Sequence, residues 1–110
     1  MAAPNLLNAT SIYGKNVTAS GDGSLNIILT CATDKLIKIT GINVHSDGTN
    51  LSSKIFIAGK QVSGGGATMP PNDGNYTLGS FYLTEGQTVQ FLGTDANVDC
   101  VVSYEEIDDA

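Results

Sequence analysis

The chain has 110 residues, enough to bury one real core and too few for two domains. Its formal net charge of −6 and pI near 4.3 argue against a nucleic-acid partner held through phosphates and favour a basic protein surface as partner. Thirteen glycines, 15% charged residues and recurrent Thr, Val, Ile and Asn between short turns indicate an all-β protein and not a helical bundle.

Residues 1–10 read as an extended arm. Pro4 discourages helix, Asn5 and the following Asn and Thr favour irregular backbone, and Leu6 and Leu7 are the only apolar anchors. This opening carries no basic residue and no apolar run of signal-peptide length, and nowhere does an apolar run approach a membrane span. The expectation is a chain made without export and without a membrane partner, whose cysteines stay reduced. The remaining residues, 11–110, form a single domain.

Ser11 to Ala19 is a first strand with Ile12 and Val17, closed by Ser20-Gly21-Asp22-Gly23. Leu25, Ile27, Leu29 and Cys31 then alternate with polar residues and are assigned inward, which leaves Ile28 outward. From Lys35 to His45 the apolar positions change parity, with Ile37 and Ile39 before Thr40-Gly41 and Ile42 and Val44 after. A β-bulge at Gly41 restores one face. After a turn at Ser46–Asn50, Leu51, Ser53, Ile55 and Ile57 point inward and Phe56 outward. Ala58-Gly59-Lys60 turns into the short piece Gln61-Val62-Ser63.

Gly64 to Asn75 holds Gly64, Gly65 and Gly66, then Met69, Pro70 and Pro71, then Asp73-Gly74, and so reads as a long surface loop, either idle or functional. Phe81 and Leu83 share a face, as do Val89 and Phe91. A three-residue Thr84-Glu85-Gly86 loop would pair Leu83 with Gln87 and Phe81 with Val89 and put Gly86 in a left-handed conformation. If that connection is an arch between two sheets, the strands stand and the pairing does not. Val98, Cys100, Val102 and Tyr104 close the core.

The pattern predicts an antiparallel β-sandwich of seven or eight strands, jelly-roll or Greek-key like. Its core should include Leu25, Ile27, Leu29, Ile55, Ile57, Phe81, Leu83, Val89, Phe91, Val98 and Val102.

No catalytic constellation stands out. His45, the lone histidine, ends a strand without a Ser or Cys elbow. The glycine triplet lacks the Lys-Ser/Thr of a phosphate loop. Asp22-Gly23, Asp47-Gly48 and Asp73-Gly74 are explained by Asx turns without calcium, because no Asp-x-Asp-x-Asp array accompanies them. Cys31 and Cys100 fall in phase with inward residues and read as inert buried thiols, with a disulfide as the alternative. The Asn-x-Ser/Thr sequons at Asn8, Asn16, Asn50 and Asn75 are ordinary products of an Asn/Thr-rich β sequence. The acidic end, Glu105-Glu106-Ile107-Asp108-Asp109, reads as a solvated tail or a docking element for a basic partner. No cofactor and no metal is expected.

Two segments carry a family resemblance: Met1-Ala2-Ala3-Pro4-Asn5 through Ile12-Tyr13-Gly14-Lys15, and Tyr82-Leu83-Thr84-Glu85-Gly86 through Val101-Val102-Ser103-Tyr104-Glu105-Glu106-Ile107. Together they resemble small accessory structural proteins of tailed bacteriophages, of the decoration or cement type found in marine and cyanobacterial phages. The Gly64 to Asn75 loop is longer and richer in Gly and Pro than that pattern. The resemblance implies a non-enzymatic β-sandwich protein on the capsid exterior of the virion, made in the host bacterial cytoplasm. Its implied partners are the major capsid protein or another virion protein, and itself as a trimer or dimer. Contact is expected through Pro4, Asn5, Leu6, Leu7, Gly64, Gly65, Gly66, Met69, Pro70 and Pro71, and through outward Ile28 and Phe56. The alternative is a carbohydrate- or receptor-binding module of a tail or other appendage, which would need an aromatic platform.

Overall fold

The computed structural model describes residues 12–46, 51–64 and 81–108. These form eight strands and, among the described residues, no helix: β1 (Ile12–Ser20), β2 (Leu25–Thr30), β3 (Lys35–Ser46), β4 (Ser53–Ile57), β5 (Lys60–Gly64), β6 (Phe81–Leu83), β7 (Thr88–Gly93) and β8 (Val98–Asp108). They make two antiparallel four-stranded sheets, ordered β1-β8-β3-β6 and β2-β7-β4-β5. The first strand pairs with the last, the second with the seventh, the third with the sixth and the fourth with the fifth. This nesting is a ribbon folded on itself, and the further pairs β3–β8 and β4–β7 wrap it into a jelly roll. The expected fold class is therefore observed, at eight strands.

Alternation along each strand builds the core between the sheets. Ile37, Ile39, Ile42 and Val44 of β3 and Val98, Cys100 and Val102 of β8 are fully enclosed. They face Ile55 and Ile57 of β4 and Val89 and Phe91 of β7. The bulge at Gly41 is present: the β3–β8 register slips between Ile39 and Gly41, which brings Ile42 and Val44 back to the inward side. Ala58 (φ 51°) and Gly59 (φ 81°) are both left-handed in the two-residue turn between Ile57 and Lys60, the geometry of a type I′ hairpin.

Three expectations are corrected. Leu25 and Ile27 are not core: they are 40% and 60% exposed, while Ile28 and Leu29 are half-buried against the core cluster. The reason is a register shift between Ile27 and Leu29, which makes Ile28 an extra residue and turns it inward. β6 and β7 are not a hairpin, since Leu83 pairs with Ile37 and Phe81 with Ile39 in one sheet while β7 lies in the other. Gly86 is left-handed as expected (φ 82°), but it serves an arch in which the Gln87 amide donates to the Thr84 carbonyl at 2.9 Å. The backbone of Cys31 clamps that arch, donating to the Gln87 carbonyl and accepting from the Gly86 amide, each at 2.9 Å.

The third correction is the acidic end, which is no free tail through residue 108. It is the last half of β8, a central strand held between β1 and β3. Lys15 on β1 donates to Glu106 Oε1 at 2.9 Å, Lys35 on β3 pairs with Asp108, and Lys38 stands in register with Glu105. The repulsion among the carboxylates is thus answered from both flanking strands.

Candidate functional site

The described residues that sequence reasoning linked to binding do not converge. Ile28 faces the core, so it leaves the proposed contact set. Phe56 is half-buried on the outer side of β4, across from Gln90 of β7 and Gln61 of β5. Gly64 is the last residue of β5, in register with Lys54, and so belongs to a strand. Pro4, Asn5, Leu6, Leu7, Gly65, Gly66, Met69, Pro70 and Pro71 lie outside the described residues.

Two surfaces are better formed, and the second of them includes Phe56. The first is the edge of β1, which no described strand covers. A sheet edge exposes unpaired amides and carbonyls, and proteins blunt such edges with short strands, bulges, prolines or charges. Of the edge strands, β6 has only 3 residues, β2 carries a register shift, and β5 meets β4 through another. In contrast, β1 runs 9 residues in unbroken register with β8, from Ile12 opposite Ile107 to Ser20 opposite Asp99, and contains no proline. Its one charge, Lys15, is tied to Glu106 and so does little to repel an incoming strand. Ile12 and Tyr13 at its start are 61% and 49% exposed.

The second surface is the outer face of the β2-β7-β4-β5 sheet. Direct cross-strand neighbours place Leu25, Leu92 and Lys54 in one row and Ile27, Gln90 and Phe56 in the next. This is an apolar patch on one side of the sandwich. The outer face of the other sheet is more polar, with Asn16, Ser103, Asn43, Glu105 and Lys38 beside exposed Tyr82 and Val101. The signal was present in the apolar run Leu25, Ile27, Ile28, Leu29, which cannot all fit one face.

The chemistry of catalysis is not assembled on these strands. Ser20, Asp99 and His45 lie in one row across β1, β8 and β3, but the Ser20 hydroxyl donates to Asp99 at 2.6 Å. The central strand separates His45 from Ser20 by two strand spacings, roughly 10 Å, so the imidazole has no route to that hydroxyl. Among the described residues no group of three or more His, Cys, Asp or Glu could hold a metal ion. Cys31 and Cys100 are free thiols, 1% and 0% exposed. Burial pushes the Cys100 thiol up to about 12 and that of Cys31 also upward, so both are held in the unreactive protonated form. Tyr13 and Tyr82, exposed on β1 and β6, sit at opposite edges of one sheet and make no common aromatic platform.

No protein-family model matches the chain, and no curated protein matches it. A solved structure from Bacillus, described by the statement that endospore appendages form a novel family of disulfide-linked pili, is similar in fold. The match has a TM-score of 0.53 at 16% identity and covers 99% of this chain and 96% of that chain. At that identity the likeness shows the fold alone and carries no site residue across.

Proposed function

We propose that this chain is a non-enzymatic structural protein of a virion exterior, which binds capsid subunits by accepting an extended segment of a partner onto the edge of β1. The observation that carries this reading is the β1 edge itself, nine residues long, unbulged and covered by no described strand. Pro4, Asn5, Leu6 and Leu7, which precede β1 in the sequence, are proposed as a further contact for a partner such as the major capsid protein. The Gly64–Pro71 segment, with Met69, is the proposed second contact.

The experiment is a proline scan of β1 from Gly14 to Thr18, read by co-sedimentation with capsids. In an antiparallel edge strand alternate amides face the neighbouring strand and the free side. Proline at amides bonded to β8 should weaken the fold; proline at the intervening positions should leave the fold intact and abolish particle binding. Full binding by every folded proline variant would refute edge recognition. Deletion of residues 2–9 should leave thermal stability nearly unchanged and remove co-sedimentation.

A second reading is favoured by the fold match: a subunit that polymerises into an appendage, using the same edge for another copy of itself. Both cysteines of this chain are buried, so such a polymer would be held without disulfides. Electron microscopy of the purified protein separates the readings, since filaments in the absence of capsids would favour the second.

A further inference from the structure

We propose that the outer face of the β2-β7-β4-β5 sheet is a homodimer interface, formed by two copies of this chain packed sheet to sheet about a twofold axis. This contact is separate from the β1 edge and rests on a different observation. The four strands of this sheet, LNIILT, TVQFLG, SKIFI and KQVSG, contain no Asp or Glu and only two lysines, in a chain whose net charge is −6. The β1-β8-β3-β6 sheet, by contrast, carries Asp99, Glu105, Glu106 and Asp108 on β8 alone. Two acidic copies repel each other over most of their surfaces, and they approach at least cost through the one face whose strands carry no carboxylate.

The pattern on that face is self-complementary. A twofold axis lying in the contact plane and crossing the strands exchanges the two rows of side chains. Leu25 of one copy then meets Ile27 of the other, and Leu92 meets Gln90. The single charge in the two rows, Lys54, falls over the Phe56 ring and not over a second ammonium. The exposures fit: Ile27 at 60% and Leu25 at 40% stand proud of the sheet, while Phe56 and Leu92 lie half-buried beside them. An acidic partner is the rival occupant, but a lone Lys54 among four apolar side chains offers it little to pair with.

The area sets the strength. Strands about 4.8 Å apart and about 20 Å long give a face of roughly 400 Å² in plan, short of the ~800 Å² per partner of a standard stable interface. The dimer is therefore weak in free solution and is consolidated where copies are held side by side.

Sedimentation equilibrium from about 10 μM to about 1 mM spans the affinities that a contact of this size supports. The weight-average mass should climb from monomer toward dimer. Ile27→Glu should weaken the dimer at least tenfold, while Val101→Glu, on the outer side of β8, should leave it unchanged. Both positions are exposed, so melting temperatures should match the parent chain and report folding directly. Mixing Leu25→Cys chains with Ile27→Cys chains under mild oxidation should trap a mixed dimer, with the buried Cys31 and Cys100 silent. A monomer at 1 mM, equal damage from the two glutamates, or no mixed cross-link would overturn the proposal. If Ile27→Glu abolished capsid co-sedimentation without changing the mass, the face would belong to a virion partner, and the homodimer would fall while the virion reading stood.

Discussion

Gly21 and Gly93 pass each other backbone to backbone: a Cβ built on Gly93 would lie 2.8 Å from the Gly21 Cα, and one built on Gly21 would lie 2.6 Å from the Gly93 carbonyl carbon. Neither glycine is needed for a left-handed backbone; both are needed for space. The approach lets the Gly21 amide donate to the Val98 carbonyl at 2.8 Å and the Gly23 amide to the Gly93 carbonyl at 2.9 Å. These bonds join the β1–β2 connection to β7 and β8 and close one end of the sandwich.

Gly21→Ala and Gly93→Ala should therefore each cost about 1–3 kcal/mol, the usual penalty of overpacking. Gly14→Ala, with open space around its Cβ, is the control and should change stability by less than about 0.5 kcal/mol. Urea midpoints at constant m-value measure all three. Equal effects at Gly14 and Gly93 would show that the crossing is not tight.

The Ser53 hydroxyl is a second local test. Ser53 is 2% exposed beside Gly93 in register, and among the described residues its Oγ has no hydrogen-bond partner. An unpaired buried hydroxyl costs about 1–3 kcal/mol. Ser53→Ala should raise stability by about 1 kcal/mol; a loss of that size would reveal a bond to a water or to a residue outside the described set.

Ala58 holds a left-handed backbone, which costs a residue with a Cβ roughly 1–2 kcal/mol unless it is Asn or Asp. Ala58→Asn should therefore gain about 0.5–1 kcal/mol in thermal or chemical unfolding, and an unchanged midpoint would place the strain elsewhere.

These positions also show what the sequence discloses. The bulge at Gly41 was legible because two apolar pairs, Ile37 with Ile39 and Ile42 with Val44, break parity across a glycine, and only one extra residue reconciles them. Val89 and Val98 were legible as core because polar residues flank each, and Ile55, Leu83, Phe91 and Val102 because each lies two residues from another apolar position on the same face. The facing of β2 was not. In Leu25–Leu29 both parities are apolar, and the shift after Ile27 that decides between them is set by pairing with β7. The Thr84–Gln87 arch was open for the same reason, since a left-handed glycine is common to hairpins and arches and the sheet that receives β7 is a long-range fact. The binding surfaces were the least legible part. The openness of the β1 edge depends on which strands neighbour it, and the patch of Leu25, Ile27, Phe56 and Leu92 assembles side chains from three strands.

The buried thiols predict the alkaline behaviour of the fold. Burial raises the Cys100 thiol from its ordinary 9.0 to about 12, and it raises Cys31 in the same direction. Above pH 9 the unfolded chain releases these protons while the folded chain keeps them, so the folded state binds more protons and stability falls as pH rises. For Cys100 the window runs from 9.0 to about 12, with a slope approaching 1.4 kcal/mol per pH unit for one proton. Lys15 and Lys35 act in the same sense at higher pH. Hydrogen bonds that they donate to Glu106 and Asp108 raise them above 10.5, so their stabilisation is complete below that value and is lost as pH climbs through the folded pKa. Both pairs are partly open to solvent, and their share is small. Cys100→Ala leaves a cavity and should lower stability at pH 7, but it should also flatten the decline between about pH 9.5 and 10.5, where the thiol dominates. Urea midpoints across that range read the slope independently of the offset, and thiol labelling of the folded parent at pH 8 should proceed no faster than global unfolding. An unchanged slope in the alanine variant would remove Cys100 as the source.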